Sequence, residues 1–213
     1  MTLKRRHLTP FLIASLSVLT LLAAPSARAA EEGADEMIRR LSTDVLNNIK
    51  ADKDVQRGDV SKITAFVDNK VMPNVNFTRM TASAVGRNWR QATAEQQRRL
   101  QEEFKSMLVR TYAGALSQVK DQTVEVKPLR AGAADTEVIV RTEVIGRGDA
   151  VQLDYRMEKT ANGWKIYDFN VLGIWMVETY RTQFAQEISA RGIDGLIATL
   201  AQRNKGGAGD KKS

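Results

Sequence analysis

The chain has 213 residues and a formal charge of +7, and it contains no cysteine and one histidine, His7. Beyond residue 7 this composition excludes Ser-His-Asp and Cys-His catalysis and ordinary zinc, haem and iron–sulfur sites. Chemistry that uses paired carboxylates, a serine–lysine pair or a tyrosine is left open.

The first 29 residues have the features of a cleavable signal peptide. Lys4–Arg6 precede an uncharged apolar stretch at 8–24, and Ala27 and Ala29 provide the small residues that precede a cleavage site. The alternative is a membrane anchor, but the stretch is shorter than the about 20 residues that a spanning helix needs. The sequence therefore predicts export to the periplasm, with a mature chain that starts at Ala30.

Removal of this leader would change what the composition indicates. It takes away four basic residues and His7, so the formal charge falls from +7 to +3. Such dilute basicity does not indicate nucleic-acid binding. Without cysteine, the exported chain would have to be stabilised by packing alone, which a single domain of this length allows.

Helical spacing dominates the residues that follow. Apolar residues at three- and four-residue intervals predict helices at 38–49 and 60–71, and a short helix follows at 79–85. The string Thr93–Gln96 is a capping box, so it predicts the start of the longest helix, whose apolar face runs over 100–119.

From Gln122 the apolar period changes to two, which is typical of half-buried strands. Four antiparallel strands joined by tight turns are predicted, at 124–126, 138–144, 151–157 and 164–171. Helical spacing then returns at 177–188 and 196–200, and a Gly- and Lys-rich tail at 205–213 is predicted to be disordered. The fold class is therefore α+β: one domain over 30–204, with a four-stranded antiparallel bent sheet and helices packed on it.

Several strings, in their order and spacing, carry a resemblance to a known family. They are Asn88-Trp89-Arg90-Gln91-Ala92-Thr93-Ala94-Glu95-Gln96, Asn162-Gly163-Trp164-Lys165-Ile166-Tyr167-Asp168, Val171-Leu172-Gly173, Tyr180-Arg181-Thr182-Gln183-Phe184 and Arg191-Gly192-Ile193-Asp194-Gly195-Leu196. Together they resemble the MlaC or toluene-tolerance (Ttg2-type) family of periplasmic phospholipid-binding proteins, over about residues 34–204. One string departs: the family usually has a small aliphatic residue and Ser after Gly173, whereas this chain has Ile174-Trp175.

The resemblance implies a non-enzymatic shuttle without cofactor or metal. Family members enclose phospholipid acyl chains between a bent sheet and its helices. They exchange lipid with an inner-membrane ABC transporter complex that has an MCE-domain subunit, and with an outer-membrane complex of a lipoprotein and a porin. A ligand-free adaptor of the same fold and a small carboxylate- or tyrosine-based enzyme are the alternatives.

A lipid cavity would be lined by apolar and aromatic residues of the long helix, the strands and the last helix. The candidates are Phe104, Leu108, Tyr112, Val140, Leu153, Tyr155, Met157, Trp175, Met176, Tyr180 and Phe184. Periodicity alone favours an ordinary packed core, and it is the family resemblance that favours a lipid cavity. Arg156, Lys159 and Arg181 could meet a lipid phosphate or be solvated, and Asp168 is predicted to cap a helix or close a strand.

Overall fold

The structure is a computed structural model, and it describes residues 32–132 and 134–206. The predicted signal peptide lies outside the described residues, and so does the predicted tail from residue 207 onwards. No helix in the described parts of the chain is long and apolar enough to cross a membrane.

Six α-helices lie in the described residues, four of them before the long helix α5. They are α1 (Ala34–Ala51), α2 (Lys53–Gln56), α3 (Val60–Phe66), α4 (Phe77–Val85), α5 (Ala94–Ser117) and α6 (Met176–Gly206). The capping box at the start of α5 is confirmed, since Gln96 N–H donates to Thr93 Oγ1 at 3.2 Å and Thr93 N–H donates to Gln96 Oε1 at 3.0 Å.

One helical prediction needs correction in detail. The segment predicted as one helix over 60–71 is α-helical only to Phe66 and continues as a π-helix over Val67–Val71. A 3₁₀ turn that contains Pro73 follows, because proline has no N–H with which to continue the helix. The last two predicted helices are confirmed as consecutive segments of α6, because the backbone between them is not helical at Gly192, where φ is +71°.

Six strands form the sheet, in the order β1-β3-β4-β5-β6, with β2 also paired to β4. Their bounds are β1 (Thr123–Val126), β2 (Glu137–Val140), β3 (Thr142–Ile145), β4 (Val151–Thr160), β5 (Gly163–Val171) and β6 (Ile174–Trp175). All strand pairs are antiparallel, so the α+β class and the antiparallel sheet are confirmed.

The predicted strand over 138–144 is interrupted at Arg141. Its two pieces keep one register against β4, but the backbone ladder opens between them. There Thr142 N–H donates to the Asp154 carboxylate at 3.2 Å, and the Thr142 hydroxyl donates to the Leu153 carbonyl. Because side chains replace ladder bonds at this point, the strand is split in two, which sequence spacing could not show.

Helices pack against the sheet in two places. At the first, α1 packs on β1 and β2 and shares a buried apolar cluster with the sheet around Ile38, Val140 and Met157. At the second, α4, α5 and α6 pack on one another and reach β5, around Phe104 and Phe184. The central strand β4 lies between these two clusters.

Candidate functional site

The candidate site is a seam between the two apolar clusters, over the middle of the sheet. Strand alternation and register place Leu153, Tyr155, Phe169 and Val171 on one face of β4 and β5, with Leu153 opposite Val171 and Tyr155 opposite Phe169. All four side chains remain partly exposed, whereas Met157 on the same face of β4 is fully buried. In a filled core the centre of the middle strand would be close-packed. We call these four residues the seam, because their partial exposure interrupts the close packing on this face of the sheet.

Tyr155 lies deep in the molecule although part of its side chain is accessible. Burial raises the pKa of its phenol to about 12, partly offset by hydrogen bonds with the side chains of Ser42 on α1 and Thr142 on β3. The two hydroxyl partners hold its polar end, so the ring presents an apolar surface.

The second wall of the seam comes from α5 and the start of α6. Tyr112 on α5 approaches Phe169 edge-on, with ring centroids 5.8 Å apart, and its hydroxyl lies 2.8 Å from the Met176 sulfur. Burial raises the pKa of the Tyr112 phenol. Because a thioether sulfur is a weak acceptor, this hydroxyl could exchange its partner for a stronger acceptor on a ligand.

The remaining aromatic candidates form a packed cluster farther into the helices. Phe104 makes edge contacts with Tyr180 and Phe184, with ring centroids 5.0 and 5.2 Å apart. Leu108 belongs to the same buried cluster, and burial raises the pKa of Tyr180. The structure thus brings these four residues together behind Tyr112, and their direct contact with a ligand stays a prediction.

The candidates of the sheet divide between seam and core. Val140 and Met157 are fully buried beneath α1, beside Tyr155, whereas Leu153 belongs to the seam itself. Met176 is buried beneath Tyr112 at the start of α6.

Trp175 lies on the other face of the sheet, away from the seam. It pairs with Asn170, which alternates with Phe169, and the Arg156 guanidinium lies 3.9 Å from the centre of its ring. Arg156 also forms ion pairs of 2.9 Å with Asp168 and with Glu178. The structure therefore does not bring Trp175 together with the other candidates.

Asp168 has the capping role that the sequence predicts. It is fully buried, and its carboxylate accepts hydrogen bonds from Val177 N–H in the first turn of α6 at 3.0 Å and from Phe169 N–H at 2.8 Å. Burial raises the pKa of this carboxyl, although the Val177 N–H and Arg156 act against the shift. Of the other basic candidates, Arg181 donates to the Ser83 carbonyl at 2.9 Å.

Sequence reasoning missed Phe169, Val171 and Ser42 as residues of the site. Phe169 and Val171 share the alternation of β5 and could have been found by it. Ser42 carries no signal in the sequence, because only the packing of α1 on the sheet brings it to Tyr155.

The described residues contain no group of three or more acidic, histidine or cysteine side chains that could hold a metal ion. Two surface clefts of about 330 and 380 Å³ lie away from the seam, on either side of Lys53, and their linings are mostly polar. The fold and the seam thus define an α+β protein with partly exposed apolar side chains between two buried apolar clusters, an arrangement suited to binding an apolar ligand.

Comparison with known proteins agrees with this class. The model of the MlaC protein family matches residues 39–202. Toluene tolerance protein ttg2D of Pseudomonas putida is 31% identical over 197 residues, which is 87% of this chain and 90% of that protein. The intermembrane phospholipid transport system binding protein MlaC of Haemophilus influenzae is 23% identical over 189 residues, covering 87% and 88%.

A solved structure gives a closer likeness. The phospholipid-binding protein of Ralstonia solanacearum, solved in complex with a phospholipid, is 49% identical, with a TM-score of 0.80 over 84% of this chain and 99% of that one. The chain belongs to the MlaC family.

Proposed function

We propose that the protein is a periplasmic carrier that binds phospholipid in the seam and has no catalytic activity. The observation that carries this proposal is the partial exposure of inward-facing apolar side chains on the central strand, Leu153 and Tyr155, between two buried clusters. The lipid-bound structure of the Ralstonia solanacearum relative supports it, because the two folds agree closely.

The physical demand on such a carrier is nearly complete enclosure of the lipid chains. Two chains with about 30 methylenes cost roughly 24 kcal/mol when exposed to water, at ~0.8 kcal/mol each. Transfer from a bilayer into an apolar seam is close to neutral, because both surroundings are apolar. The seam would contribute apolar contacts to this enclosure from Leu153, Val171 and Phe169 on the sheet, and from Tyr112 on the helical side.

The polar groups beside the seam favour binding over catalysis. Tyr155 is held by Ser42 and Thr142, and the raised pKa of its phenol disfavours a tyrosinate base at neutral pH. Asp168 is occupied by backbone N–H groups and Arg156 on the other side of the sheet. A carboxylate- or tyrosine-based reaction therefore lacks an available base among these residues.

We further propose that the carrier serves an ABC-transporter-linked system that moves phospholipid between the outer and inner membranes. Its partners would be an inner-membrane complex with an MCE-domain subunit and an outer-membrane complex of a lipoprotein and a porin. The Haemophilus influenzae relative, named for intermembrane phospholipid transport, supports this role. Lipid exchange with each purified complex, reconstituted in separate vesicles, would test the two partnerships one at a time.

Native mass spectrometry of the protein purified from periplasmic extract, followed by lipid extraction, tests the binding itself. A carrier retains phospholipid in near-stoichiometric amount, and denaturation releases it. A protein that is folded, homogeneous and free of lipid, even after incubation with vesicles, would instead be the ligand-free adaptor.

A further inference from the structure

The exposed large apolar side chains of the described residues are not scattered over the surface. Five are strongly exposed, and four of the five lie at one end of the sheet. We call these four the apolar rim: Ile145, Val151, Leu172 and Ile174. Leu172 and Ile174 are the most exposed, at 65% and 56%.

Strand register brings the rim residues together. Val151 pairs with Val144, the neighbour of Ile145, and Ile174 pairs with Val171. Leu172 N–H donates to the carbonyl of Gln152, the residue after Val151, at 3.1 Å. Three neighbouring strand ends therefore present aliphatic side chains at the same edge of the molecule.

The rim continues the seam. Val151, Leu153, Tyr155 and Met157 share one face of β4, and their exposure rises in steps from buried Met157, through the seam, to Val151 at 38%. One apolar stripe thus leads from the core to the surface. An acyl chain in the seam could follow it outward without crossing a polar segment of the strand face.

Leu172 occupies a conformation that a leucine rarely adopts. Its φ is +53° and that of Gly173 is +87°, so the two form the tight turn between β5 and β6. Asparagine or glycine is the usual residue at such a position. Because Leu172 is also largely exposed, neither its backbone conformation nor burial accounts for a leucine there.

We propose that the apolar rim inserts between the head groups of a phospholipid bilayer when the carrier takes up or releases lipid. This proposal rests on the proposed function, in which the seam holds phospholipid. The rim would then be the entrance of the seam and the surface that meets the membrane.

Two observations favour a bilayer over a protein partner. Four aliphatic side chains offer on the order of a few hundred Å², well below the about 800 Å² per partner of a standard protein interface. Trp175, next to Ile174, is half-buried and stacks on Arg156, which is the amphipathic arrangement typical of a membrane interface.

Charge near the rim is nearly balanced. Arg147, with 89% of its side chain exposed, is paired with Asp121 at 2.8 Å, and exposed Lys120 and Asp149 carry opposite charges. Docking would therefore depend on apolar insertion, and we expect it to change little between low and high salt.

The test uses vesicles of phosphatidylethanolamine and phosphatidylglycerol containing a fluorescent phospholipid, with flotation to measure binding and fluorescence to measure transfer. Leu172→Asn and Ile174→Thr should each lower vesicle binding and the transfer rate by roughly fivefold, and the pair by more than tenfold. Ile139→Thr is the matched control, because Ile139 is an exposed aliphatic residue opposite Arg156, outside the rim. Leu172→Asn should also keep or raise the melting temperature, since asparagine tolerates a positive φ.

Lipid content, measured on the same preparations, separates the two proposals. If the unaltered protein carries phospholipid and both rim variants bind vesicles and transfer lipid as it does, the rim proposal is wrong and the carrier proposal stands. If the rim variants keep normal exchange with vesicles but lose exchange with a purified membrane protein complex, the rim is a protein interface and the bilayer proposal is also wrong. A protein that takes up no phospholipid at all refutes the carrier proposal itself.

Discussion

Substitution of Leu153 by glutamate distinguishes an apolar seam from a filled core. Leu153 points to the same side of β4 as Tyr155 and Met157, so on either interpretation the new carboxylate faces inward. In the seam, however, the Leu153 side chain is already partly accessible. Its glutamate replacement would therefore be solvated by water, which would take the place of the lipid.

The expected magnitudes differ enough to measure. A carboxylate that reaches water in the seam should cost about 1–2 kcal/mol of unfolding free energy, mainly from the lost burial of leucine. An unpaired carboxylate in a closed core costs more than about 4 kcal/mol, a large part of a total stability of 5–15 kcal/mol.

Met157→Glu is the matched control. Met157 lies on the same strand and the same face but is fully buried beside Val140. We expect Leu153→Glu to give a folded, soluble protein without lipid, and Met157→Glu to unfold or fail to accumulate. Circular dichroism with thermal unfolding and lipid extraction on the same samples would measure both outcomes.

Two results would refute this reasoning. If both variants lose their structure to the same extent, the middle of β4 is ordinary core. If Leu153→Glu is folded and keeps its full lipid load, Leu153 does not contact lipid. The same result with Tyr155→Glu would show that the lipid site lies outside the seam.

Three further predictions can be tested separately. Burial raises the pKa of Tyr155 to about 12, so between pH 10 and 12 the unfolded chain releases this proton while the folded chain keeps it. The free energy of unfolding should therefore fall over this pH range by up to roughly 2–3 kcal/mol. Urea unfolding of the Tyr155→Phe variant should show less of this loss. N-terminal sequencing of periplasmic protein should find Ala30, and membrane-bound protein that keeps Met1 would contradict export by a cleaved leader. EDTA should leave the melting temperature and lipid content unchanged, and a fall of several degrees would reveal an all-oxygen metal site.

Sequence periodicity identified the main elements because each has a strong local cause. Thr93 and Gln96 cap each other across one helical turn, and Gly86, with φ at +66°, ends α4 where it was predicted to end. Alternation likewise located the main strands, including the turn at Gly163. These features depend on neighbours within a few residues, so one sequence contains them.

The same local patterns do not distinguish core residues from residues of the candidate site. Leu153 and Met157 are both apolar, inward-facing residues of β4, and they differ only in what packs above them. Trp175 is predicted to line the cavity, yet its pairing with Asn170 directs it to the other face of the sheet. The break at Arg141 depends on Asp154, which belongs to another strand.

The alternation of β4 therefore has three different outcomes along a single strand. Met157 lies beneath α1 and is close-packed core. Leu153 and Tyr155 lie between the two apolar clusters and belong to the seam, whereas Val151 lies beyond the helices and is exposed. Close packing stabilises the fold but leaves no room for a ligand, whereas an open apolar surface has room but exposes the ligand to water. The proposed carrier needs both conditions within one strand length, and we propose that the seam between α1 and the helices α4–α6 provides them without any change in the sequence pattern.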